Sequence, residues 1–383
     1  MKTDFDSIRS YTDDEIAEAL SRLTEEKQFM NVLGTVFPLL PKDVLKQRLL
    51  SFRTVLDFQK GTAYPFLKGL EDTKTKGVKL HGLEKIDTSK AYLYISNHRD
   101  IILDSAFLCM KLIEKNLSPV EIAIGDNLLI HPWIEDLVRV NRSFIVRRKL
   151  NSREILESSR LLSAYIADTI AERNQSIWLA QREGRAKDSN DRTQESLLKM
   201  LNMYGSGTFT ENLSAINIVP LSISYEYDPC DYLKAKEFQQ KRDNSDFVKS
   251  PKDDLTNMTI GVMGYKGHVA YTITECINKK LQQIAEKGLP KKEEVTLVAD
   301  LIDRQIHANY VIYPNNKIAY DLLTNENRFE KEYTTIERLD FERYLILQIE
   351  KIDLEQKDET FLRQKLLEMY ANPFINHLEA IGK

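Results

Sequence analysis

The chain has 383 residues, of which 42% are hydrophobic and 29% charged, and its formal net charge is -4. That length suits two domains, or one large domain with appendages, and the apolar content is enough for a sizeable core rather than a disordered chain. The charge is small and mixed, which argues against a nucleic-acid binder. The three cysteines, Cys109, Cys230 and Cys276, are far apart, and Cys109 and Cys276 lie among apolar residues. They read as reduced core thiols, which fits a reducing cytosol, and no zinc spacing is present. Residues 1–9 carry acidic residues early and lack an apolar run, so no secretory leader is expected. No window approaches the ~20 apolar residues that a membrane-crossing helix needs. Any contact with lipid is therefore expected at the surface, from the cytoplasmic side.

Residues 1–75 read as a helical N-terminal domain. Thr12 and Glu15 have capping-box spacing, and Ile16, Leu20 and Leu23 follow at helical intervals. Val32, Leu33, Val36 and Phe37 continue the pattern, as do Val55, Leu56 and Phe58, until the polar stretch 71–76. From Val78 the texture alternates. Short apolar runs at 91–96, 121–124, 143–146, 176–180, 216–223 and 269–273 predict buried strands, with helices over 104–112 and 152–172 between them. Residues 76–277 are thus expected to form an α/β domain, with a mixed, mostly parallel sheet flanked by helices. The polar segment 232–252 reads as an insertion or exposed loop. Residues 278–383 read as a charged, helical C-terminal region.

In open α/β sheets ligands bind beyond the carboxyl ends of the strands. After the strand at 91–96 come Asn97, His98, Arg99 and Asp100, with Asp104 opening a helix. Arg147 and Arg148 follow the strand at 143–146, and Arg182, Glu183, Gly184, Arg185 and Lys187 follow the strand at 176–180. Converging on one sheet edge, these residues would set an anion site beside a general base. A hydroxyl is a poor nucleophile at neutral pH and needs a base such as histidine. A carboxylate beside that histidine fixes its tautomer and stabilises the imidazolium. Arginine suits phosphate because its planar fork donates paired hydrogen bonds.

These residues, in this order, resemble the motifs of the phospholipid and glycerol acyltransferases that act on glycerol-3-phosphate or 1-acylglycerol-3-phosphate. The first motif is similar to Asn97-His98 with Asp104, the second to Phe144-Ile145-Val146-Arg147-Arg148, the third to Glu183-Gly184-Arg185, and the fourth to Ile218-Val219-Pro220-Leu221. Ile124-Gly125-Asp126-Asn127-Leu128 also resembles a segment of the glycerol-3-phosphate branch. The resemblance covers about residues 78–275. It departs from the family in two places: five residues separate His98 from Asp104 where the family has four, and the third motif is one residue short between Gly184 and Arg185.

The resemblance implies that His98 is the general base, with Asp104 as its partner and Asp100 as the alternative. It implies that Asn97, Arg147, Arg148, Glu183, Gly184, Arg185 and Lys187 bind substrate. The acyl group would pass directly from acyl-CoA or acyl carrier protein to the acceptor hydroxyl, without a metal or other cofactor. Glycerol-3-phosphate is the expected acceptor; a lysolipid is the alternative, and a non-catalytic lipid-binding scaffold is the reading from outside the enzyme class. The enzyme would be peripheral on the inner membrane surface. Phe29, Met30, Val36 and Phe37 are one candidate docking surface; alternatively they pack on the catalytic domain. His98-Arg99-Asp100 mimics a kinase catalytic loop, but Ser105 stands where that loop needs asparagine, and no glycine-rich phosphate loop precedes it. His81, His131 and His268 carry no supporting pattern and read as structural or surface residues.

Overall fold

The apolar run Ile218–Tyr225 is buried at every position, as a strand covered on both faces must be. In the computed structural model, which describes residues 4–148 and 150–383, it lies well inside a seven-stranded sheet. The strands are β1 (Val78–His81), β2 (Leu93–Ser96), β3 (Glu121–Gly125), β4 (Ser143–Val146), β5 (Ile177–Ala180), β6 (Ile218–Tyr225) and β7 (Val269–Ile273). Their spatial order is β1-β7-β6-β2-β5-β3-β4. The five strands from β6 to β4 are mutually parallel; β7 is antiparallel to β6, and β1 is parallel to β7. The predicted α/β class is therefore the one observed, and the six expected strands form with ends within two residues of those read from the sequence.

The seventh strand, β1, was not expected. Its Lys79 and His81 are polar and it is four residues long, so no apolar run marks it; it sits at the sheet edge, where lysine is the usual guard against stray pairing. Pro220 pairs with Ile95 inside β6, although proline cannot donate to a ladder. The β6–β7 ladder begins one residue later, at Leu221, and the Pro220 carbonyl accepts from Thr274 N–H (3.1 Å) and Oγ1 (2.8 Å). The missing N–H thus falls just past the end of the ladder.

Each face of the sheet carries its own core. Leu93, Ile95, Ile177 and Leu179 pack with the helices Ser152–Ala171 and Lys291–Ala308 on one face. Tyr94, Trp178, Val219 and Tyr271 pack with the helix Leu103–Glu114 on the other. The long helix Ser152–Ala171 starts where Asn151 accepts from the N–H groups of Arg153 and Glu154 while Glu154 returns to Asn151 N–H. Cys230 is fully buried and Cys276 is only half-buried, so it is Cys109 and Cys230 that occupy the interior.

Two expectations change. Residues 232–252 are not an open loop: the helix Asp231–Asp243 buries Lys234, Ala235, Glu237 and Gln239 against the C-terminal helices. Its polar residues are satisfied there, with the Gln239 amide bonded to Gln356 O (2.6 Å) and Asp358 N (3.1 Å). The polar stretch 71–76, read as the close of the N-terminal helices, is tied down at Glu71. Glu71 is buried and takes bonds from Lys111 Nζ (2.7 Å), Lys68 Nζ (2.8 Å) and Val78 N (2.9 Å), tying the helix Tyr64–Lys74 to β1 and to the helix Leu103–Glu114. Finally, Phe29 and Met30 are core residues, packed with Leu20, Leu49 and Val140, and Val36 and Phe37 are half-buried. Packing has used the apolar faces that the docking reading required.

Only residues 4–9 of the N-terminal stretch 1–9 fall among those described. Among the described residues no helix is long and apolar enough to cross a membrane.

Candidate functional site

β2 runs between β6 and β5, so its carboxyl end delivers residues 97–104 to the middle of the parallel part of the sheet. Asn97 anchors this loop. Its Nδ2 donates to Ile223 O and its Oδ1 accepts from Ile223 N–H, both at 2.8 Å, so a side chain continues the β2–β6 ladder beyond Ser96. Both ends of the Asn97 amide are thereby occupied, and it holds the loop rather than offering a group to a ligand.

The loop then turns on two aspartates with different tasks. Asp100 Oδ1 accepts from the N–H groups of Ile102 (2.9 Å) and Leu103 (2.8 Å), capping the helix that begins at Leu103. Burial, with Asp104 nearby, pushes the Asp100 carboxyl above the usual carboxylate range. Asp104 sits in the first turn of the helix, fully buried, and its Oδ2 receives three N–H groups. These are His98 Nδ1 at 2.9 Å, Arg99 N at 2.6 Å and Asp100 N at 3.0 Å. The turn built by Asp100 absorbs the extra residue between His98 and Asp104. With Nδ1 turned to Asp104, the His98 Nε2 is the nitrogen left for a reacting group. The ring stands edge-on to Trp178 with centroids 5.9 Å apart, and Trp178 is itself fixed by Nε1 donating to Ser96 Oγ (3.0 Å).

Behind the loop lies a buried charged network that the sequence did not single out. Asp191 Oδ2 accepts the backbone N–H of His98 (3.2 Å). Burial raises the Asp191 carboxyl, against the pull of Arg99 and His98. Arg99 faces Asp228 at 3.7 Å, and Lys234 Nζ donates to the same Asp228 oxygen at 2.5 Å. Burial alone would raise Asp228, but Lys234 and Arg99 hold it down at about 2. Asp228 and Lys234 lie in and beside the stretch read as a polar loop, so no apolar run pointed to them. The cavity of about 20 Å³ lined by Asn97, Arg99, Tyr225, Tyr310 and Tyr370 is too small for a substrate. One of about 160 Å³ lies at the opposite, amino ends of β2 and β5, beside Lys90, Tyr94 and Ser176.

The basic residues fall into separate groups. Arg148 Nη1 donates to Glu183 Oε1 at 2.7 Å, and its backbone N–H donates to Asp126 Oδ1 at 3.1 Å. Its side chain lies over Gly125, where an added Cβ would come within 2.5 Å of Arg148 Nε. Gly184 turns the chain at φ +68°, a left-handed conformation that suits glycine. Arg147 points outward and is exposed. Lys187 pairs with Glu237 at 2.6 Å, which also takes Lys241 at 3.1 Å, so Lys187 is turned away from the other basic residues.

Arg185 turns inward beside the His98 loop. Burial works against its charge, but Cys230, Asp100 and Asp228 outweigh that and hold it protonated. The geometry thus brings His98, Asp104, Asp100 and Arg185 to one place, with Arg148 and Glu183 as a second pair at the ends of β4 and β5. It sets Arg147 and Lys187 apart. Among the described residues no cluster of His, Cys, Asp or Glu is placed to hold a metal ion.

A family model described as Acyltransferase matches residues 77–224. No curated protein matches the chain. One solved structure similar to it is the 1-acyl-sn-glycerophosphate acyltransferase PlsC from Thermotoga maritima. It is 12% identical, covers 73% of this chain and 95% of that chain, and has a TM-score of 0.34. The matched segment runs from the residue before β1 through most of β6, and so contains His98, Asp104, Arg148, Glu183 and Arg185 on the strand ends where they were found. Residues 77–224 are thus similar to the acyltransferase family over the segment in which the motifs resembling the phospholipid and glycerol acyltransferases were read.

Proposed function

We propose that this chain transfers a fatty acyl group from acyl-CoA or acyl carrier protein to the hydroxyl of glycerol-3-phosphate, at the inner membrane surface. The observation that carries this reading is the 2.9 Å contact between His98 Nδ1 and buried Asp104, which fixes the imidazole with Nε2 available. In the reaction His98 Nε2 removes the proton of the acceptor hydroxyl as its oxygen attacks the thioester carbonyl carbon. The tetrahedral adduct collapses, the carbon–sulfur bond breaks, and the departing thiolate takes the proton back from His98. Asp104 stabilises the transient imidazolium. Arg185 supplies the phosphate contact, with the Arg148–Glu183 pair as a second candidate contact at the ends of β4 and β5. Residues 1–75 and 278–383 flank the catalytic segment 76–277. No cofactor beyond the thioester co-substrate is called for.

The test uses the purified full chain with a labelled acyl thioester and a panel of acceptors. Product with glycerol-3-phosphate is expected, and His98→Ala should lower turnover by about 10²–10⁴-fold. Unchanged turnover in that variant would sink the general-base role. Product only with a lysolipid would reassign the acceptor, and none with any acceptor would leave the scaffold reading.

A further inference from the structure

Arg185 is a half-buried guanidinium with five N–H donors, yet among the described residues it finds, besides Cys230, a single oxygen partner: Nη2 donates to Asn257 Oδ1 at 3.3 Å, long for such a bond. Asn257 lies on the helix Pro251–Met263, outside the segment that matches the acyltransferase family. One contact sets this helix against the His98 loop and others hold it in place. Gly261 lies against Asp100, where a Cβ would come within 2.3 Å of Asp100 Oδ2, so only glycine permits the approach. Cys230 Sγ donates to Asn257 O at 3.3 Å. The fully buried Lys266 donates from Nζ to Val262 O (3.0 Å) and Gly264 O (2.6 Å), gripping the carboxyl end of the helix. The Asn257 amide is fixed as well, because its Nδ2 donates to Asp253 O at 2.7 Å. Its oxygen is thereby held toward Arg185.

A neutral amide oxygen at that distance is a weak partner for a guanidinium, whose fork matches the paired oxygens of a phosphate. We propose that Asn257 is the gatekeeping, specificity-determining residue of the acceptor site: its amide oxygen covers the Arg185 fork and yields it to a phosphate group of the acceptor. This rests on the acyl-acceptor reading above. A weak neutral plug admits an anion; a carboxylate at the same position would compete with it. The residue type at 257 therefore sets how readily a phosphate-bearing acceptor is taken over an uncharged one.

The experiment measures inorganic phosphate binding to the full chain by calorimetry, independently of turnover, in wild type and in Asn257→Ala, Asn257→Asp and Arg185→Ala. Removing one ordinary hydrogen-bond competitor should tighten phosphate binding about 2- to 10-fold in Asn257→Ala. Asn257→Asp, nearly isosteric, should weaken it about 10-fold or more, because the new carboxylate pairs with Arg185. Acceptor KM should follow the same order while kcat stays near wild type. Unchanged or weaker phosphate binding in Asn257→Ala, or wild-type binding in Asn257→Asp, overturns the gate. The aspartate variant decides the matter even where truncation loosens the helix. Wild-type phosphate binding in Arg185→Ala would overturn the anion site beneath it. If Arg185→Ala abolishes binding while the Asn257 variants change nothing, the site stands and only the gate falls.

Discussion

Asp104→Asn and Asp100→Asn replace two buried carboxylates four residues apart, and the structure requires them to behave differently. Asp104 Oδ2 receives three N–H groups, whereas its Oδ1 is buried with no hydrogen-bond partner. An asparagine there keeps one oxygen for the three donors but must place its NH₂ where Oδ1 now lies. Orphaned buried donors of that kind cost about 1–3 kcal/mol of stability. The imidazolium would also lose its counter-charge, which should lower kcat by about 10²–10⁴-fold. Asp100 instead caps Ile102 and Leu103, a task asparagine performs nearly as well, so Asp100→Asn should cost less than about 1 kcal/mol. Its raised pKa points the same way, since a neutral side chain suits that site better than a charged one. Acyl transfer and urea unfolding, measured side by side, read both effects. If Asp100→Asn loses as much turnover as Asp104→Asn at equal folded fraction, the assignment of the two aspartates is refuted.

Three further outcomes follow from the same geometry. Glu71→Ala takes one of two carboxylates from buried Lys111, which keeps Glu114 at 2.9 Å, and should cost about 1–3 kcal/mol, read by chemical denaturation; no measurable loss would make the Glu71 contact incidental. Arg148→Ala breaks a pair whose side chains are 35% and 69% exposed, so stability should change by less than about 1 kcal/mol, and a larger loss in thermal unfolding would contradict the surface assignment. His307, stacked on Tyr310 with Nε2 against Asp191 O, is held down at about 4 by burial and the nearby Arg192. A group whose folded pKa is depressed below 6.5 takes up protons in the unfolded state first. Stability should therefore fall as pH drops from about 6.5 to 4, by up to about 3 kcal/mol from this residue. His307→Gln should flatten that part of the unfolding profile, and an unchanged slope would place the titration elsewhere.

What the sequence disclosed was whatever an apolar run or a strand end could mark. β2, β5 and β6 are continuous apolar segments because each is covered on both faces, and His98, Arg148 and Arg185 could be placed because they follow such segments. β1 escaped because an edge strand with Lys79 and His81 has no such mark. The helix Asp231–Asp243 escaped for a related reason. Its inward face is polar, and its burial is satisfied by ion pairs and by amides reaching carbonyls of residues more than a hundred positions away, which local composition cannot reveal. Phe29 and Met30 show the converse: an amphipathic face says that something covers it, not whether that is lipid or the chain's own helix at 132–140, and of these two readings the second is the one observed.

The site follows the same logic. The motif spacing at His98 differs from the family's, yet the His98–Asp104 contact forms because Asp100 folds the extra residue into a helix cap. Spacing alone could not choose between the two aspartates, since the choice depends on which carboxylate the backbone N–H groups of Ile102 and Leu103 claim. The basic cluster also divides by partner rather than by position in the chain. Lys187 is two residues from Arg185, but Glu237 draws it away, while Arg185 turns inward to Asn257. Where a charge faces is set by the element that packs over it. At this site that element is the helix Pro251–Met263, which lies outside the segment that matches the acyltransferase family model.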